Sequence, residues 1–257
     1  KSRALFRELG NIVFLEASTG HIGAVKASVM FARAILHVPL YGKARPDTVV
    51  KSRLRRWAQG NYQSLLDDLA EYEVAFQRRQ PFRSDADERD KRVERKLADG
   101  EISKALQAAM PSGPYNGPID MLRSLHPPKP PGITLLDLPD NIPIPTVEPI
   151  EFYRALCETS RGTAQTATGW ASDHMKDINV CPCNDEEDPL YGFRAFTIAF
   201  ATGTLPVSQE VFTYLVSSKL VALKKPDSDK PRPVGVTGVF HRLGLSALLK
   251  AHRESLA

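Results

Sequence analysis

Cysteine is scarce. The chain has three, Cys157, Cys181 and Cys183, and an odd, sparse set does not make the disulfide framework of a small secreted domain. A reducing, intracellular compartment is the expectation, with the nucleus among the candidates. No stretch approaches the roughly twenty consecutive apolar residues that span a bilayer, so no membrane partner is expected. The opening segment, KSRALFRELGNIVFLEASTG, is mixed and polar and unlike a secretory signal. It also lacks an initiator methionine, and the chain reads as part of a longer product. No internal repeat, Gly-rich phosphate loop or Ser-His-Asp arrangement stands out.

What is present is ordinary globular composition. The 257 residues, 42% of them hydrophobic, suffice for one large domain or two small ones with a sizeable core. A net charge of +4 is compatible with a nucleic-acid partner without requiring one. Helical spacing of apolar residues runs from Val25 to His37. Pro46 then stands where a helix can start, ahead of DTVVKSRLRRW. Gly60 interrupts, and Asn61 precedes a helix with a stripe of Leu65, Leu66, Leu69, Tyr72 and Phe76. Asp85 to Lys96 is almost all charged, with opposite signs at i,i+3 and i,i+4 spacing, which predicts a solvated helix. A short amphipathic helix, EISKALQAAM, follows Gly100.

From His126 to Pro149 the pattern changes to HPPKPPGITLLDLPDNIPIPTVEP, dense in proline and without helical period. It reads as an extended, semi-rigid linker. The organisation expected is therefore a helical region over 1–125, a Pro-rich linker over 126–149 and a second region over 150–257. In that region helices are predicted from Pro149 to Thr159, Trp170 to Ile178, Leu190 to Phe200, Ser208 to Val216 and Phe240 to Arg253. Strands are predicted over Lys219–Lys224 and Pro233–Thr237.

The most informative string is KLVALKKPDSDKPRPVGVTGVFHR, Lys219 to Arg242. Two apolar runs flank a turn of Pro, Asp and Ser. The turn carries Lys224, Lys225 and Lys230, and Arg232 opens the second strand. Such cations can clamp a polyanion, Arg by its planar fork and Lys as a movable point charge. The same lysines and prolines would equally protect an edge hairpin from aggregation. Trp57 and Trp170 could stack on bases, although single tryptophans beside helical stripes favour a core position. Lys51, Arg53, Arg55 and Arg56 could meet phosphates, but a solvated helix face is favoured. His174, Cys181 and Cys183 are spaced H-x6-C-x-C. Zinc sites want Cys-x2-Cys and a fourth ligand, for which only the distant His126 offers itself, so no metal site is expected.

The order of residues in that string resembles the fingers region of reverse transcriptases encoded by non-LTR, LINE-like retrotransposons. The matching positions are Lys225-Pro226-Asp227, Arg232-Pro233-Val234 and Arg242-Leu243. Upstream, Gly162 to Ile178 is similar to the family segment Ala-Pro-Gly-x-Ser-Gly followed by a helix. Gln165 and Thr166 stand where Pro-Gly is usual, while Gly169 keeps the second glycine. DGEISKALQAAMPSG, PIDMLRSLHPPKP and SRLRRWAQGNYQSLLDDL resemble the helical region before the fingers in such elements.

The resemblance implies a mainly α fold with a small β-hairpin, a helical N-terminal region plus a partial polymerase fingers subdomain. It implies RNA-directed DNA synthesis in the parent protein, on an RNA or DNA template-primer with deoxynucleotides and Mg²⁺. Two metal ions held by aspartates would stabilise the attacking and leaving oxygens. Lys225 and Arg232 would contact the incoming nucleotide. Arg242, Lys224, Lys230 and Gly169 would face template or primer. The palm aspartates and the Tyr/Phe-x-Asp-Asp tetrad are absent from the sequence. Asp67-Asp68 sits on an amphipathic helix, and Asp185, Glu186, Glu187 and Asp188 in a polar loop. No catalytic or metal-binding residue is therefore assigned, and the metal half of the site would lie after Ala257. Fingers without a palm should leave an apolar face exposed between Leu220 and Leu249. The alternative is a non-catalytic RNA- or DNA-binding or scaffold protein derived from a retroelement.

Overall fold

The stretch that reads as mixed and polar is a helix, α1 (Ser2–Ser18), and the core is built around it. Phe6, Gly10, Val13, Phe14 and Ala17 recur at helical spacing and are buried, while Arg3, Glu8 and Glu16 point outward. The computed structural model describes residues 2–37, 45–78, 85–98, 105, 120, 146–160, 168–179, 188–216, 219–225 and 228–253. These are mostly helical, so the protein is mainly α. The chain forms two compact units, one of Lys1–Phe76, Pro139–Lys219 and Val236–Ala257, the other of Gln77–Leu138 and Leu220–Gly235.

In the first unit, α2 (Ile22–Leu36) starts at His21, whose Nδ1 accepts from the Ala24 N–H at 3.4 Å. Helix α3 (Pro46–Ala58) has proline in its first turn, Asp47 beside it and Arg55 and Arg56 in its last turn, which suits the helix dipole at both ends. After Gly60, α4 (Tyr62–Arg78) buries Leu65 and Leu69 of its expected stripe but leaves Leu66 exposed. Beyond the proline-rich stretch lie α6 (Pro149–Glu158), α7 (Ser172–Ile178), α8 (Tyr191–Ala201), α9 (Gln209–Val216) and α10 (Val239–Ala251). Helix α1 packs against α2, α3, α7 and α8, and α10 against α6 and α8. One core thus draws on both sides of the 126–149 stretch, of which residues 126–145 lie outside the described residues.

The α1–α8 crossing is close because Gly192 has no side chain. A Cβ there would meet the Asn11 carbonyl oxygen at 2.0 Å and the Leu15 nitrogen at 2.8 Å. The Asn11 side-chain oxygen accepts from the Gly192 N–H at 2.7 Å and the Phe193 N–H at 3.4 Å. A residue of α1 therefore satisfies first-turn donors of α8, which the helix itself cannot pair. Asp188, from the acidic run, fixes the approach to α8. It accepts from the Leu190 N–H at 3.0 Å and from Arg194 Nε at 2.7 Å.

An aromatic cluster fills the centre. The Phe14 ring lies 4.7 Å from Phe193, 5.0 Å from Phe240 and 5.2 Å from Trp170, distances at which tilted and edge-on ring pairs attract. Trp170 is fully buried and donates its indole N–H to the Ser28 carbonyl at 3.0 Å. Trp57 is buried against Phe31, with ring centroids 4.9 Å apart. Both tryptophans are core residues, not surfaces for base stacking.

In the second unit, α5 (Asp85–Ala98) shows exposed or half-buried side chains where they are described, as its charge pattern predicts. The backbone over β1 (Lys219–Lys225) and β2 (Ser228–Val236) is extended and paired in a two-stranded sheet. Of β1 and β2 the backbone alone is described. Pro231 and Pro233 fall within β2, where a missing N–H is tolerated because each strand of a two-stranded sheet has an open edge. EISKALQAAM, apart from the buried Ala105, lies outside the described residues.

Candidate nucleic-acid interface

The residues expected to contact nucleotide and template are distributed over both units, which are taken separately. Lys224 and Lys225 end β1, and Lys230 and Arg232 lie within β2. The strands are longer than the sequence pattern suggests, and all four cations are strand residues. Pro226 and Asp227 lie outside the described residues.

Arg242 lies on the first turn of α10. Its Nε and Nη2 are shielded from water and have no hydrogen-bond partner among the described residues. It lines a groove of about 810 Å³ with Glu158, Leu245, Ser246, Leu249, Lys250 and Arg253. Apart from Glu158 of α6, the lining is a stripe along α10 and the residues just after it. Positions 242, 246, 249, 250 and 253 recur at helical spacing and, with 245, face one side. Lys250 donates to Glu158 at 2.7 Å, whereas Arg242 and Arg253 make no ion pair among the described residues. Leu245 and Leu249 are 42% and 60% exposed. They are apolar residues on the stretch where an open face is expected, while Leu243 and Ala247 of the same helix are buried. Ser246, Lys250 and Arg253 escape motif reading because their grouping with Arg242 appears only once the helix is built.

Gly169 is buried, with φ +69°, a left-handed conformation that side chains disfavour. A Cβ would also meet Cγ of Arg33 at 2.1 Å. Glycine is required here by its backbone and by the Arg33 stem, whose guanidinium pairs with Glu73 of α4. Residues 161–167, which hold Gln165 and Thr166, lie outside the described residues.

The basic cluster on α3 splits around the helix. Arg53 is buried and donates from Nη1 to the Ile35 carbonyl at 3.2 Å and to the His37 carbonyl, and from Nη2 to His37 Nε2 at 2.6 Å. It binds the carboxyl end of α2, where unpaired carbonyls attract a cation. Arg56 pairs with Asp68 at 2.5 Å. Arg55 is exposed and Lys51 half-buried. The expectation of one solvated basic face is thus corrected for Arg53 and Arg56, whose acceptors come from neighbouring helices. The Asp67-Asp68 pair is likewise occupied, with Asp67 accepting from Gln63 at 2.8 Å. Among the described residues no group of three His, Cys, Asp or Glu side chains could hold a metal ion. No described helix is long and apolar enough to cross a membrane. Cys181, Cys183, Asp185, Glu186 and Glu187 lie outside the described residues.

His174 Nδ1 accepts from the Ala171 N–H at 3.2 Å. That bond needs an unprotonated Nδ1. Burial holds the ring below the ordinary value of 6.5, opposed by Asp173 and Asp177. His37 is also held low, by burial first and then by Arg53. Its Nδ1 lies 3.0 Å from the Arg33 carbonyl, which leaves Nε2 as the acceptor for Arg53. Both folded values lie below the unfolded one, so the unfolded chain binds more protons in the intervening window. The stabilisation is complete above about pH 6.5 and is lost as pH falls through the folded values. The urea midpoint should therefore be lower at pH 5.5 than at pH 7.5, and the difference should shrink in His174→Asn. An unchanged midpoint between the two pH values would refute this.

No family model, no curated protein and no solved structure matches the chain.

Proposed function

We propose that this chain is the N-terminal region and the opening part of the fingers of a reverse transcriptase of the non-LTR retrotransposon kind. The observation that carries the reading is the ordered set Lys225-Pro226-Asp227, Arg232-Pro233-Val234 and Arg242-Leu243. The succession of a strand ending at Lys225, a strand containing Arg232 and a helix carrying Arg242 supports it. On this reading β1 and β2 are the fingers hairpin, and their cations neutralise the triphosphate of the incoming deoxynucleotide. Lys225 and Arg232 grip the nucleotide. Lys224, Lys230 and Arg242 meet the phosphates of template or primer, and Gly169 shapes the segment ahead of α7. Mg²⁺ would belong to the aspartates of the complete enzyme, so this chain grips substrate without polymerising by itself.

Arg232→Ala is the direct test. Charged, bidentate contacts to phosphate are worth about 1.5–3 kcal/mol each, so affinity for a deoxynucleoside triphosphate, measured by calorimetry, should fall by roughly ten- to a hundredfold. Unchanged affinity for both nucleotide and template in that variant would remove the assignment. A wild-type chain whose affinity for RNA does not depend on salt would point instead to a scaffold.

A further inference from the structure

Among the described residues, the groove along α10 holds an excess of cations. Among the described residues its lining carries Arg242, Lys250 and Arg253 against one carboxylate, that of Glu158. That carboxylate is already engaged by Lys250 at 2.7 Å. The Nε and Nη2 atoms of Arg242 form one edge of the guanidinium, the edge that binds an oxyanion side-on through two parallel N–H bonds. Both are closed off from water and lack an acceptor among the described residues. Leaving donors of a charged group unpaired in that way is costly, and the cost is relieved when the Arg242 side chain turns outward and brings that edge to an incoming oxyanion. Ser246, one turn along, offers a hydroxyl, and Arg253 stands exposed at the far end. From position 242 to the end of α10 at Ala251 the helix rises about 14 Å, and Arg253 follows two residues on, a track long enough for a polymer to lie along it rather than a single ion.

We propose that this groove is a binding track for the phosphodiester backbone of a single-stranded nucleic acid. Arg242 and Arg253 take phosphates at the two ends of the track, Ser246 donates between them, and Leu245 and Leu249 give the sugars an apolar floor. Glu158 acts against binding, because it sets a negative charge at the edge of the track and holds Lys250. The choice of occupant rests on the reading of the chain as a nucleic-acid-gripping fragment. The residues named here, apart from Arg242, are not used by that reading.

The test uses the whole 257-residue chain and a fluorescent oligouridylate, titrated at several salt concentrations. Each phosphate contact to a single strand contributes about 0.7 to the slope of log affinity against log salt. The double variant Arg242→Gln/Arg253→Gln should lose about 1.4 of that slope and about tenfold in affinity. Arg253→Glu, at an exposed position, repeats the loss without disturbing the core. Glu158→Gln should have the opposite sign and tighten binding about two- to threefold, since it removes the opposing charge and frees Lys250. Oligoadenylate should behave as oligouridylate does, because phosphate contacts carry no base information.

Failure of the groove and failure of the functional reading are separable. Wild-type binding with the slope unchanged in the double variant and in Arg253→Glu overturns the groove alone. A loss confined to one base composition overturns the phosphate assignment. If Arg232→Ala keeps full affinity for nucleotide and template while the groove variants lose slope, the fingers reading falls and the track stands. No binding of either oligonucleotide by the wild-type chain overturns both.

Discussion

Replacing Trp170 by alanine is expected to remove about 3–5 kcal/mol of stability, a large share of the 5–15 kcal/mol that holds a typical domain together. The indole is in ring contact with Phe6, Phe14, Phe193 and Phe240, which come from three helices, and its N–H is bonded to the Ser28 carbonyl of a fourth. Truncation leaves a cavity that none of these can close alone, because each is fixed by its own helix. The measurement is a urea midpoint followed by circular dichroism. Trp170→Phe, which keeps most of the apolar contact and loses the hydrogen bond, should cost about half as much. A loss below about 0.5 kcal/mol in Trp170→Ala, the range of an ordinary surface change, would show that the tryptophan does not occupy the centre of the core.

The second large effect is expected at Gly192. Its obstacle is backbone, the Asn11 carbonyl at 2.0 Å from an added Cβ, so no side-chain rotation relieves it. Gly192→Ala must push α1 and α8 apart. Overpacking costs about 1–3 kcal/mol, and separation also breaks the Asn11 cap, worth about 0.5–2 kcal/mol. A combined loss of about 3 kcal/mol is the expected result. Gly203→Ala provides the contrast, with nothing within 4 Å of its added Cβ. It should cost only the left-handed backbone, about 1–2 kcal/mol. Equal losses at the two positions would count against the close crossing.

Most of the helices were legible in the sequence because their signals are local. Proline at the start of α3 and α6, the leucine spacing of α4 and the charge pattern of α5 each act within a few residues. Helix α1 was not legible in the same way. Charges at Arg3, Arg7, Glu8 and Glu16 break up its apolar run, and its buried stripe relies partly on Gly10 and Ala17, which carry little hydrophobic signal. The roles of the α3 arginines were illegible for a different reason. The groups that bury Arg53 are carbonyls 16 to 18 residues earlier in the chain, brought near only by the packing of α2 on α3. The candidate site divides along the same line. The order of Lys225, Arg232 and Arg242 can be read directly, whereas the groove with Ser246 and Arg253 needs the helix in three dimensions.

The capping of α8 by Asn11 joins residues 181 positions apart. On the ribosome α1 emerges long before the helix it completes. At about 5–20 residues per second, the interval is roughly 10–35 s. Through that interval Phe6, Val13 and Phe14 lack the surface of α8 that covers them in the finished fold. Contacts so distant in sequence also slow folding, since the intervening loop must be closed before any of them forms. The N-terminal helix is therefore a segment for chaperones to shield during synthesis, and α8 is the element whose arrival ends the need.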